Sequence, residues 1–415
     1  MSLSQSAPRA PARSAARTRA WRGAAIWSRG FRPFFLGAAV WAILAVGLWP
    51  FVFSGQIELA TAFTPIDWHA HEMIFGYLAA VIAGFLTTAV PNWTGRLPVS
   101  GWPLMALTSL WIAGRVAMFE SARLGRPLAA AIDCAFLIVF AAVVAVEVVA
   151  GRNWRNAKVV ALVGALAVAN LAFHWEDANS GFAEFSQRAA LALVVMLILL
   201  VGGRVTPSFT NNWLARAGSP KRPAPFGRFD AFVMGLSGLA LAAWVFAPSE
   251  TASAALMLAA GLGNLGRLAR WRGWLARRDP LVLVLHAGFG LAAAGFLFTG
   301  ASAILPAAFP YGASVHVWTI GATGLMTLAM MTRATLGHSG QALVASPATK
   351  AAYLLLATAL ILRVGMPFFP RFETALLHAA ACAWALSFAA FLWGFGSLLT
   401  RDVRVRGSWR MQSKV

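Results

Sequence analysis

The side chains most able to do chemistry in this sequence are histidines, and two of them stand in one short run: Asp67, Trp68, His69, Ala70, His71, Glu72, Met73. Of the seven histidines in 415 residues, His174, His316 and His378 are expected at the same depth as that run, while His286 and His338 lie nearer the opposite end. Imidazole is the commonest protein ligand for haem iron and copper, so a set gathered from four segments at one depth points to metal binding. Taken singly, each histidine is equally explained as a capping or interfacial residue. On a regular helix His69 and His71 would project about 200° apart, so one ion cannot easily use both. They are expected to face two centres, or one is a ligand and the other a supporting residue. His286 with His338 could form a second, separate site, and Met326, Met330 and Met331 offer thioethers to copper or simply pack.

Three charges fall inside apolar stretches near the same depth: Arg115, Asp133 and Arg188. A charge at mid-bilayer costs roughly 2.5 to 3.5 kcal/mol and calls for a partner. Arg115 or Arg188 would suit the propionates of a haem, as guanidinium suits carboxylates generally. Snorkelling or an Arg–Asp pair explains them as well.

The elements that must position these residues are membrane helices. The chain is 59% hydrophobic and 12% charged, with mean hydropathy +0.69, too apolar to clothe a soluble surface. A hydrocarbon core of roughly 30 Å needs about 20 apolar residues per helix. Such runs predict an all-α, polytopic bundle of about twelve spans, near 31–53, 69–91, 101–119, 127–149, 158–174, 184–203, 229–247, 252–268, 280–300, 312–332, 350–368 and 374–399. Alternating polarity is lacking, so a barrel is not expected. The organisation predicted is a basic tail at 1–30, one transmembrane domain at 31–400 (alternatively halves at 31–203 and 229–400), and a second basic tail at 401–415.

A formal net charge of +20 would suggest nucleic acid if it were spread evenly. It is not: most Lys and Arg fall in the two tails and alternate connections, among them Arg204 to Arg228, whereas the opposite loops hold only Arg123, Arg126 and Arg371 beside several acids. By the positive-inside rule both termini are cytoplasmic, the crowded histidine end faces outward, and nucleic acid is not an expected partner. Cys134 and Cys382 lack a C-x-x-C partner, which leaves a disulfide framework and covalent haem attachment unsupported, so any haem is non-covalent. Gly261, Gly263 and Gly266 spell a dinucleotide-type pattern, but no strand precedes them and close helix packing accounts for them.

Two stretches resemble the NnrS family. One runs from Trp68, His69, Ala70, His71, Glu72, Met73 through Phe75 and Gly76 to Pro91, Asn92, Trp93, Thr94 and Gly95. The other runs from His316, Val317 and Trp318 through Gly321, Met330 and Arg333 to Leu336, Gly337 and His338, and Gly30, Phe31, Arg32, Pro33, Phe34 agrees too. The resemblance implies a twelve-helix bacterial inner-membrane protein carrying haem b and copper, linked to nitric oxide and to tolerance of nitrosative stress. It gives His69, His71 and His316 a claim as ligands and His338 a functional claim of undefined role.

Three functions compete on this reading. The first binds or processes nitric oxide, a small apolar gas that reaches the site through the lipid bilayer. Reduction of the gas would also require an electron-donor protein and protons. The second is a sensor or haem and copper handling protein. The third is a secondary transporter using histidines as proton-linked groups.

Overall fold

The computed structural model describes residues 21–401, so most of both expected tails lies outside the described residues. Among these residues there is no strand, and 12 helices are long and apolar enough to cross a membrane. They are α1 (Phe31–Phe53), α2 (Pro65–Thr94), α3 (Trp102–Phe119), α4 (Arg126–Ala150), α5 (Trp154–Ser180), α6 (Glu184–Arg216), α7 (Arg228–Phe246), α8 (Thr251–Arg270), α9 (Pro280–Ile304), α10 (Tyr311–His338), α11 (Pro347–Phe368) and α12 (Pro370–Thr400). Backbone groups in hydrocarbon must be satisfied within the segment, and the expected all-helical solution is the one observed.

Three of the predicted ends need correction, the simplest being that of α5, which runs past 174 to Ser180. α6 does not stop near 203 but continues through Pro207 to Arg216, so the proline-rich connection is shorter than expected. At about 1.5 Å per residue its 33 residues reach about 50 Å, well beyond a core of roughly 30 Å. α10 likewise runs on to His338, which ends the helix rather than lying in the loop after it. In α6 and α10 the polar residues that suggested a loop belong to a helix projecting past the apolar layer.

α2 and α10 form the interior. Their apolar windows are 78% and 67% buried, against 28% for α11. α10 packs on α1, α2, α9, α11 and α12, while α1 lies against both α2 and α12, bringing the first and last spans together.

These same two helices are irregular in the same way. α2 starts on Pro65 with Thr64 as its N-cap, the Thr64 hydroxyl oxygen accepting from the Asp67 N–H, and after His71 it widens into a π-helical stretch over Glu72–Leu78. α10 does so directly after His316, over Val317–Gly324. Such wide turns are costly and gather at functional sites. Here each follows a histidine and contains a glycine five residues on, Gly76 and Gly321.

Candidate metal and cofactor centres

The 200° separation of His69 and His71 is realised: the two rings face different neighbours. His71 points into a fully buried polar knot built from α2, α3, α4 and α5. Its Nδ1 lies 3.1 Å from Glu72 Oε1, and its Nε2 lies 3.1 Å from Asp133 Oδ2 and 3.0 Å from Asn170 Oδ1. Asp133 Oδ2 also lies 3.0 Å from His174 Nε2 and accepts from Asn170 Nδ2 at 2.8 Å. Arg115 closes the knot: its Nη1 donates to both Glu72 oxygens, at 2.7 and 2.6 Å, and its Nη2 donates to Asp133 Oδ1. The aromatic rings of Phe63, Phe75 and Phe173 pack around His71 and exclude water.

Three of these residues, His71, Asp133 and His174, bring one ligand atom each to within 4.8 Å of the others, a grouping that could hold a metal ion. Charge counting supports a cation there. Glu72 and Asp133 carry two negative charges and Arg115 one positive, which leaves one negative charge in a site that water does not reach. A buried net charge is expensive, so the knot favours one more positive charge, a metal ion or a proton held by the imidazoles.

Gly76 makes the knot possible. A Cβ there would lie 2.6 Å from Arg115 Nη1, 2.8 Å from Trp41 Nε1 and 2.9 Å from Glu72 Oε2, closer than packed atoms approach. Its carbonyl accepts from Trp111 Nε1 at 3.0 Å, fixing the wide turn against α3.

His69 belongs to a different region. Its ring stacks on Trp49 of α1 with centroids 4.2 Å apart, and its buried Nδ1 has no hydrogen-bond partner. Across from it, His316 directs Nδ1 to the Gly312 carbonyl at 2.5 Å. That bond fixes the ring and leaves Nε2 as the nitrogen for a metal, the usual arrangement for a ligating histidine. The two histidines are within electrostatic reach of each other and of Arg363 on α11.

Of the other residues singled out from sequence, Arg115 joins the knot and the rest are placed elsewhere. Arg115 is held by Glu72 and Asp133, which is the Arg–Asp alternative. Arg188 faces Glu184, with Nη1 3.6 Å from the carboxylate. His378 lies edge-on to Phe51, with centroids 5.1 Å apart. The inner histidines also have separate neighbours: His286 pairs with the Thr210 hydroxyl at 2.8 Å and lies near Trp271, while His338 lies against Phe31. Two participants went unnoticed in the sequence. Asn170 sits one turn before His174 in an apolar helix, a spacing that could have flagged it, whereas Arg363 carried no local signal.

Comparison with known families matches residues 25–402 to the family described as NnrS protein. No curated protein matches the chain.

Proposed function

Because the chain belongs to the NnrS family, a family of nitric oxide-related membrane proteins, we propose that it carries copper and a non-covalent b-type haem and binds nitric oxide at its histidine-rich end. In this reading it protects a bacterial cell against nitrosative stress from the inner membrane, with both termini in the cytoplasm as the charge distribution favours.

The observation that carries the proposal is the pair of unlike histidine settings on either side of α2. Two imidazoles and a carboxylate form a donor set suited to copper, and the uncompensated negative charge of the knot favours a cation between His71, Asp133 and His174. The orphaned Nδ1 of His69 and the pre-oriented ring of His316 fit the ligand requirements of haem iron, and the Arg363 cation within electrostatic reach of both suits an anionic group. When bound, the haem and copper would supply gas binding and electron exchange. The chain's own residues do the rest. Glu72 holds the His71 ring through Nδ1, Arg115 holds both carboxylates, and the Phe63, Phe75 and Phe173 rings pack around His71.

A second reading, proton-linked transport, draws on the same knot. His71 and His174 both lie within hydrogen-bond distance of Asp133, so a proton on an imidazole could serve as the missing positive charge. Detergent-purified protein, expressed with adequate haem and copper, separates the two readings through its visible spectrum and metal content, with and without nitric oxide. A Soret band that shifts with the gas, together with bound copper, is expected. Colourless, metal-free protein would overturn the haem and copper proposal in favour of transport.

A further inference from the structure

At the end of the bundle opposite the histidine knot, the last turns of α2, α6 and α10 line an open cavity of about 830 Å³, large enough for an organic molecule rather than a single small ion. One wall is apolar and aromatic, with Phe85, Trp93, Phe209 and Met330; the rest presents three guanidinium groups, Arg204, Arg216 and Arg333. None of the described lining residues is acidic.

An excess of arginine at this end follows from membrane topology, but topology accounts only for arginines reaching water. Arg333 does not reach it. It is 6% exposed, its guanidinium lies 3.9 Å from the Phe209 ring centroid, and its buried Nη1 has no hydrogen-bond partner. Arg204 and Arg216 are only partly committed, through one bond each, to the Asn156 side chain and the Asn212 carbonyl. Asp279 is within electrostatic reach of Arg333, but it does not line the cavity, and one of its oxygens caps the Leu281 N–H. A buried cation beside an aromatic wall, in a cavity whose lining holds no acid, is the complement of an apolar body bearing an acidic group.

We infer that this cavity is a binding site for an amphiphilic organic anion, whose carboxylate or phosphate groups engage Arg333, Arg204 and Arg216 while its apolar body lies on Phe209, Trp93 and Met330. The inference rests on the arginine end alone and is independent of the metals proposed at the histidine end. An acidic phospholipid of the bilayer and a dicarboxylate macrocycle share this chemistry.

The test uses the full chain in nanodiscs and two probes. Metal-free protoporphyrin IX, which cannot be ligated by histidine, is titrated by fluorescence in parallel with its neutral dimethyl ester. Retention of phosphatidylglycerol over phosphatidylcholine is followed by native mass spectrometry. The acid form, or the acidic lipid, is expected to bind at least about tenfold more tightly than its neutral counterpart. Arg333→Gln, and separately the double variant Arg204→Gln with Arg216→Gln, should remove that preference. The double variant changes exposed side chains and covers the case in which R333Q fails to fold. Preference for the porphyrin alone assigns a macrocycle, and preference for the lipid alone assigns a bilayer component. Equal binding of acid and ester together with equal retention of both lipids, or a preference that survives the double variant, overturns the inference. Neither outcome bears on copper or haem content.

Discussion

His69 and His71 stand two residues apart on one helix, yet one has a buried ring nitrogen with no hydrogen-bond partner and the other has both nitrogens engaged. The knot around His71 is dense in charge and closely hydrogen-bonded, with the buried Arg115 Nε left over, so removing a member leaves a buried charge stranded. The pocket around His69 is aromatic and sparse in partners, so removing a member leaves little stranded. The contrast teaches that the two centres should fail differently: the knot through folding and ion affinity together, the His69 pocket through its ligand alone.

The severest test of that contrast is Arg115→Ala, which abandons Glu72 and Asp133 to each other in a dry interior. We expect a loss of about 3 to 5 kcal/mol, read as reduced thermal stability in detergent and poor yield of folded protein. A stable R115A protein would break the comparison. Next in size, His174→Ala should lower copper content, with affinity falling on the order of a hundredfold, while the Soret band stays. His316→Ala should do the reverse, and metal analysis with absorbance on both variants checks the crossing pattern. Gly76→Ala drives a methyl group into Arg115 Nη1 and should cost about 1 to 3 kcal/mol by the same thermal assay, with copper content falling alongside stability. The smallest effect is expected from Trp49→Leu. Loss of the ring stack on His69 should cost about 0.5 to 1.5 kcal/mol and shift the Soret band, leaving copper unchanged.

Much of the fold was legible because lipid imposes a length on apolar runs; α1 was expected at 31–53 and spans Phe31–Phe53. The ends of α6 and α10 were not, since hydropathy reports where a helix leaves the apolar layer and not where the helix stops. Most members of the knot were visible one at a time: Arg115, Asp133 and His174 as polar residues within predicted spans and His71 with Glu72 in one short run, whereas Asn170 was missed. Which of them touch was not visible, because contact depends on the rotation of four helices about their axes. The π-helical turns after His71 and His316 shift that rotation by an amount that no residue pattern announces.

The knot also constrains how the protein is made. Glu72, Arg115 and Asp133 come from three successive helices, α2, α3 and α4. Each helix released singly into lipid would carry an unpaired charge, at a cost that reaches roughly 2.5 to 3.5 kcal/mol at mid-bilayer and is smaller toward the interface. Together they neutralise all but one charge. The three should therefore remain at the insertion machinery until α4 has been synthesised and partition into the bilayer as one unit, so that a chain truncated after α3 is retained or degraded while one truncated after α4 becomes integrated.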